Sequence, residues 1–483
     1  MDKNRFAGAN RPDKHALRVI PWIVAIAFFM QMLDTSIMNT ALPSIAGSLG
    51  ENPVSMHWAV IAYLLTLAVF MPISGWAADR LGTRRVLGLA IIVFSLGSLF
   101  CALSTSLPML VAARVAQGLG GAFMVPVGRL MLLLVYPRRL LVPVLSFVSI
   151  PGLIGPLLGP TLGGFLVQAA SWHWIFLINL PVGLLGCLAV LRYIPDLRRP
   201  DVVRFDLGGF LLFGLAMLLI SFALDSSGRS EFSVLLIGAL AVGGLLCIGL
   251  YVLHARRHAA PLFRLDIFRI RSFSVGIWGN IFARLAAGGM PYMTPMLLQL
   301  LMGYPPFEAG LIMIPLTVMA IFSKAMATRL LRRFGYRKVL LVNTMLLGGL
   351  IASFSAFTPH TPLWAVLGIF CVFGAVNSLQ HTSMNTLTLI GLPDDQASSG
   401  NSLLSVVMQL AASLGVTASA ALLAAFMPPE ADSALMAGQY QLAGQANLAG
   451  AFHLTYLCMG IFSVLAALIF LYTPSGLGRR KLN

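Results

Sequence analysis

The sequence predicts an all-α polytopic membrane protein with fourteen transmembrane helices in a 6 + 2 + 6 order and both termini cytoplasmic. Three observations lead there. First, 58% of the 483 residues are hydrophobic and 10% charged, with a mean hydropathy of +0.88. A soluble chain of this length cannot hide so much apolar surface, so lipid is its solvent. Second, apolar runs long enough to span the roughly 20 residues of a hydrocarbon core fall near 18–42, 57–77, 86–104, 107–135, 140–169 and 174–193, then 207–225 and 233–253. Six more fall near 272–301, 307–330, 339–357, 362–391, 399–426 and 449–472. Third, basic residues gather in alternate loops, as cytoplasmic loops do. Arg80, Arg84 and Arg85 occupy one such loop and Arg332, Arg333, Arg337 and Lys338 another, whereas the opposite loops hold Arg229 alone. Lys3, Arg5, Arg11, Lys14 and Arg18 at one end and Arg479, Arg480 and Lys481 at the other join the basic set, so the helix count is even.

Several function classes drop out. A net charge of +16 suggests nucleic acid, but the basic residues are scattered over short loops and no nucleic-acid partner is expected. The five cysteines sit inside apolar runs without metal-ligand spacing, which suits inert packing residues and predicts no metal site. With no Gly-Lys pair there is no Walker-type phosphate loop, so no nucleotide cofactor is expected and energy must come from an ion gradient or from the substrate. The first apolar run reaches about Leu42 and contains Gln31, Asp34 and Asn39, too long and too polar for a cleaved signal. A membrane enzyme is disfavoured because no HExxH, paired Cys/His set or nucleophile motif occurs.

Between the second and third runs, Gly75 to Arg85 reads GWAADRLGTRR, a charged, water-facing loop. A degenerate copy follows much later: ADRLGTRRVL, ending at Leu87, aligns with LRRFGYRKVL, ending at Leu340, so Gly82 matches Gly335 and Arg84 matches Arg337. The organisation this implies is a six-helix half over 1–200, a two-helix insertion over 201–260 and a second half over 261–483. Four further motifs appear in order: LDTSIMNTALP from Leu33, LVAARVAQGLGGA from Leu110, GLIGPLLGPTLGG from Gly152 and WHWIFLINLP from Trp172. Together with the GxxxDRxGxRR loop they resemble the major facilitator superfamily, and more narrowly its fourteen-helix drug:proton antiporters. The resemblance implies a monomeric exporter of small molecules in the bacterial inner membrane, working by alternating access on the proton gradient. It also implies that Gly75, Asp79, Arg80, Gly82, Arg84 and Arg85 act in the conformational switch. Arg114 then takes the proton-coupling position, and the segment with Gly155, Pro156, Gly159, Pro160, Gly163 and Gly164 is associated with export.

The residues can also be read without the resemblance. A charge at bilayer depth is costly unless paired or hydrated. At 1.5 Å per helical residue, Asp34 lies about 12 Å and Arg114 about 10 Å from the same membrane face, so the two share a depth and could pair. Burial favours the neutral acid and Arg114 the carboxylate, a competition that suits proton exchange; a fixed ion pair is the plain alternative. Asp79 and Arg129 could latch the halves or merely enforce topology. Gly155, Gly159 and Gly163 form a smooth stripe that lets helices approach closely. Asn377, Gln380, His381, Met384 and Asn385 share one helix face and, with Gln31, Asn280, Arg284 and Gln409, are expected to line a cavity, interhelical hydrogen bonding being the alternative. Arg284 and Lys324 lack an acid at comparable depth, which favours a neutral or anionic substrate, such as an organic acid or its metal chelate, over a cationic drug.

Overall fold

The computed structural model describes residues 14–198, 204–227, 233–428 and 448–474, and helix is the one regular structure among them. Lys3, Arg5, Arg11, Arg229, Arg479, Arg480 and Lys481, on which the topology reading draws, lie outside these residues. The chain groups into two compact units, residues 1–44 with 58–205 and residues 45–57 with 206–483. Among the described residues, 13 helical stretches are long and apolar enough to cross a membrane.

The first unit contains most of α1 (Lys14–Leu49), most of α2 (His57–Phe70), α3 (Ile73–Leu81), α4 (Thr83–Ala102), α5 (Leu107–Val135), α6 (Arg138–Ala169), α7 (Trp174–Leu177) and α8 (Asn179–Tyr193). Gly82 ends α3 and opens α4 at φ 96°, a backbone conformation that L side chains resist. The segment after α8 lies on this turn. Thr83 donates its N–H to Leu197 O at 3.2 Å and its Oγ1 hydrogen to Pro195 O at 3.1 Å. A Cβ on Gly82 would overlap the Asp196 carboxylate. In the other unit, Gly335 joins α14 to α15 at φ 77°, so the sequence repeat is a repeat of turn geometry.

The second unit holds α9 (Leu207–Ser226), α10 (Val234–Arg257), α11 (Arg271–Ala287), α12 (Met290–Met296), α13 (Pro306–Ile312), α14 (Ile314–Phe334), α15 (Tyr336–Ser353), α16 (Leu363–Ile390), α17 (Asp394–Phe426) and a last described helix, Leu448–Ala466. The span expected near 272–301 is not continuous: α11 stops at Gly288, and α12 runs on into a π turn at Leu297–Leu301. Pro291 and Pro295 withhold backbone donors there. Gly288 and Gly289 also let the broken backbone lie against α17, where a Cβ on Gly288 would stand 3.2 Å from Ala412 Cα. Val275, Leu331, Leu340, Met384, Leu387 and Phe470 form an apolar cluster that gathers α11, α14, α15 and α16.

Why residues 45–57 group with this unit is visible at the end of α9. His57 Nε2 stands 2.5 Å from Asp225 Oδ1 and its Nδ1 2.6 Å from Val54 O, while Tyr292 donates to the same carbonyl at 3.0 Å. His57 and Asp225 are each 3% exposed. A buried charge is tolerated when paired and hydrogen-bonded, so the first inserted helix fastens this loop through a polar contact that solvent does not reach.

Candidate functional site

Five helices of the first unit converge on one carboxylate. Asp34, on α1, is 1% exposed and lies beside Arg114 on α5, also 1% exposed. Arg114 Nη1 donates to Asp34 Oδ2 at 2.7 Å and to Gln117 Oε1 at 2.6 Å, and its Nε donates to Ala59 O on α2 at 3.2 Å. The other carboxylate oxygen accepts from Gln117 Nε2 at 2.7 Å and from Asn179 Nδ2, at the start of α8, at 3.2 Å. Both amides also donate to Ser98 Oγ on α4, at 2.8 and 3.2 Å. The Tyr63 ring lies under the guanidinium, 4.1 Å from centroid to Cζ, where a desolvated cation gains up to about 2 kcal/mol. The shared depth inferred from helix rise is thus a direct contact. Gln117, Ser98 and Asn179 escaped the reading of single residues, although Gln117 follows Arg114 by three positions, one helical turn on the same face.

Asp34 accepts three donors and has no proton to give as a carboxylate. One proton on it would turn an acceptor into a donor among donors, and the guanidinium cannot yield its own proton in exchange.

The glycine stripe of α6 lies against the same helix. A Cβ on Gly155 would come within 2.9 Å of Leu33 N, and one on Gly163 within 2.9 Å of Ile37 O; at Gly159 it would overlap Ser36 Oγ. Ser36 Oγ donates to Gly155 O at 3.2 Å. Four prolines, Pro143, Pro151, Pro156 and Pro160, interrupt the backbone bonding of α6, and Gly164 is buried. The helix bearing Asp34 is therefore seated on a surface with almost no side-chain relief.

The charged stretch expected as a loop is helical except at Gly82, since α3 and α4 meet there with one residue between them; Gly75 is exposed and Asp79 half-buried on α3, Arg80 places its Cζ 5.4 Å from the Trp76 ring, and Arg84 is half-buried on α4. Arg85 Nε lies 4.0 Å from Asp196 Oδ2, a carboxylate that Arg198 also holds at 2.8 Å. The Arg129 guanidinium stands over Phe28, 5.4 Å from its centroid. Gln31 is buried on α1, with no hydrogen bond to its Oε1 among the described residues.

In the second unit the α16 stripe divides. Gln380 is 1% exposed and is spent between helices, accepting from Asn343 Nδ2 at 2.9 Å and donating to Thr344 Oγ1 at 2.6 Å. Met384 is fully buried in the apolar cluster. Asn377 Oδ1, His381 Nδ1 and Asn385 Oδ1, spaced four apart, are buried atoms without hydrogen-bond partners among the described residues. Arg284 is half-buried and donates through Nε to Asn280 Oδ1 at 3.2 Å; no ion pair to it occurs among the described residues. Gln409 is half-buried and Lys324 exposed.

The model of the family described as Major Facilitator Superfamily matches residues 24–416. The MdtD proteins of Cronobacter sakazakii and Citrobacter koseri, provisionally named multidrug resistance proteins, are each 47% identical to this chain, over 459 and 455 residues. The matches cover 95% of both chains in the first case and 94% in the second. Among solved structures, the chain is similar to a bacterial homologue of the human lysosomal transporter Spinster in an inward-facing and occupied conformation. That match has a TM-score of 0.67 and 16% identity, over 95% of this chain and 97% of the other. A D-xylose–proton symporter gives a TM-score of 0.65 and 15% identity, over 96% and 99%. At such identities the likeness concerns fold alone, whereas the family match and the relatives extend over most of the sequence. The chain belongs to the major facilitator superfamily, a family of membrane transporters rather than enzymes.

Proposed function

We propose that this transporter is a proton-coupled antiporter that exports small molecules, in the manner of multidrug efflux, across the bacterial inner membrane by alternating access. It acts as a monomer without a cofactor, both termini cytoplasmic, with residues 1–200 and 261–483 as the two halves and 201–260 as an insertion. The observation that carries this reading is the buried Asp34 carboxylate held by Arg114, Gln117 and Asn179. Proton binding there discharges the carboxylate, while Arg114 keeps Gln117 Oε1, Ala59 O and the Tyr63 face. The tie between α1 and its neighbours loosens, and α1 is free to shift along α6. Proton release restores the tie, so the arrangement of α1 follows the proton occupancy of one side chain. The switch residues Gly75, Asp79, Arg80, Gly82, Arg84, Arg85 and Arg129 serve the accompanying rearrangement.

A second reading concerns substrate charge. Arg284, with Asn377, His381 and Asn385 unsatisfied nearby on α16, suits a neutral or anionic substrate better than a cation, because a buried cation facing a cation costs energy. Purified protein in liposomes tests both readings. With an imposed pH gradient, candidate substrates should accumulate against their own gradient and leak out when a protonophore is added. Flux indifferent to the pH gradient would reject the antiporter. An anion-selective flux that Arg284→Ala abolishes would establish the second reading, and a cation flux that survives it would reject that reading.

A further inference from the structure

The two inserted helices come together where α9 begins and α10 ends. Asp206 caps α9: its Oδ1 accepts the Gly209 N–H at 2.8 Å and its Oδ2 the Leu262 N–H at 3.0 Å. His254, in the last turn of α10, brings Nε2 to 2.7 Å from Asp206 Oδ1. Four residues on, His258 caps α10 and stacks its ring on His254, with centroids 5.1 Å apart and planes 28° from parallel. One ligand-capable atom from each of Asp206, His254 and His258 lies within 4.8 Å of the other two. The carboxylate is buried, His254 half-buried and His258 exposed.

A helix cap paired with one histidine accounts for Asp206 and His254; His258 accepts the Ala260 N–H through Nδ1 at 3.3 Å, which leaves its Nε2 as the atom free to act as a ligand. The local charge pattern does not fit a mere ion pair. Arg256 and Arg257 lie between the two histidines in sequence, yet among the described residues neither forms an ion pair with Asp206, and Arg264 turns instead to Asp266 at 2.7 Å. In a strongly basic segment, the buried carboxylate is matched with imidazole. Burial disfavours a bare carboxylate at Asp206, and the hydrogen bonds from the Gly209 amide, His254 and the Leu262 amide offset that cost.

We propose that Asp206, His254 and His258 form a binding site for a divalent transition-metal cation of the zinc class. Imidazole and carboxylate are the ligands such ions take, at about 2.0–2.2 Å, with a water in the fourth position of an open tetrahedron. Tetrahedral ligand atoms at that radius are about 3.4 Å apart. The Asp206–His254 pair must therefore open slightly and His258 must swing in by about an ångström, which an exposed side chain can do. The ion replaces the hydrogen between His254 Nε2 and Asp206 Oδ1; that nitrogen's proton passes to Nδ1 through solvent, or leaves if the ring is doubly protonated. The two amides on Asp206 serve as the outer shell that fixes a ligating carboxylate. The carbonyl end of α10 favours a cation there and the amide end of α9 opposes one, so the ligands and not the helix dipoles must hold the ion. Occupancy would cross-link the start of α9, the end of α10 and the Leu262 segment, stabilising the inserted pair by mass action.

The test uses the full-length protein purified without a histidine tag and titrated with Co2+, whose visible absorption reports four-coordinate binding. One equivalent should bind with the band of a tetrahedral site, and one equivalent of Zn2+ should remove it. Loss of a ligand should weaken binding roughly tenfold or more in His258→Ala and in His254→Ala, with His173→Ala as a control that leaves it unchanged. His258 is exposed, so its variant keeps the fold. Absence of saturable binding, or a cobalt band that persists in the His254→Ala/His258→Ala double variant, would overturn the proposal.

Discussion

Removing the Asp34 charge should destabilise the protein more than removing that of Arg114, and the difference follows from which partner can neutralise itself. In Asp34→Asn, Arg114 remains a cation in a site where it is 1% exposed. It keeps Gln117 Oε1, Ala59 O and the Tyr63 ring but loses its counter-charge. Breaking a buried pair in this way costs about 3–5 kcal/mol. The new amide also offers one acceptor oxygen where three donors converge, so at least one donor goes unsatisfied. In Arg114→Gln the carboxylate keeps Gln117 and Asn179 as donors and can take up a proton, which an arginine cannot shed. The remaining penalty is that of imperfectly satisfied polar groups, about 1–3 kcal/mol. The double variant Asp34→Asn/Arg114→Gln carries no charge at the pair and should recover at least about 2 kcal/mol relative to the two single losses added together, the size of a direct coupling. Reversible unfolding in mixed micelles against a denaturing detergent at neutral pH measures all four proteins. A loss below about 1 kcal/mol in Asp34→Asn, or strictly additive losses, would refute the reasoning.

Other substitutions probe the surroundings of the site. Gly159→Leu drives a side chain into Ser36 on α1; overpacking of this kind costs about 1–3 kcal/mol, and transport in vesicles should fall further than the melting temperature. Gly82→Ala meets both the φ of 96° and the Asp196 carboxylate, so it should cost about 1–3 kcal/mol; adding Asp196→Ala should return part of that, and no recovery would mean that the crowding is not the cause. Asp225→Leu removes the carboxylate beside the buried His57 Nε2 and should loosen the segment from the end of α1 to His57, seen as faster deuterium uptake there than in the parent. Gln380→Leu should lower stability by about 1–3 kcal/mol through the unsatisfied Asn343 and Thr344, whereas Asn385→Leu should alter transport with little change in stability.

The spans and the charged pair could be read from the chain because both depend on local, strongly expressed quantities. A run of about 20 apolar residues has few fates, and Asp34 and Arg114 stand out among apolar neighbours. Helix rise alone gives them a common depth. Gln117, Ser98 and Asn179 are neutral residues whose importance lies in which helices adjoin, and periodicity within one helix does not report that. Asp196 is hidden for the same reason, since its proximity to Gly82 is made by two loops 114 residues apart. The α16 stripe is narrower than its spacing suggests. Residues at i and i+4 share a face, but adding i+3 and i+7 broadens it by roughly 60°. That rotation turns Gln380 towards α15 and Met384 into the apolar cluster. The break in the 272–301 span is written in Gly288, Gly289, Pro291 and Pro295, yet the apolar content on both sides masks it.

The central claim is that Asp34 holds the exchangeable proton. Proton release from the purified protein on addition of a transported substrate measures this directly, with a panel of lipophilic cations set beside citrate and related acids. The wild type should release protons when substrate binds, and Asp34→Asn should bind the same substrate without releasing them. Undiminished release in Asp34→Asn would place the coupling proton on another group and contradict the account.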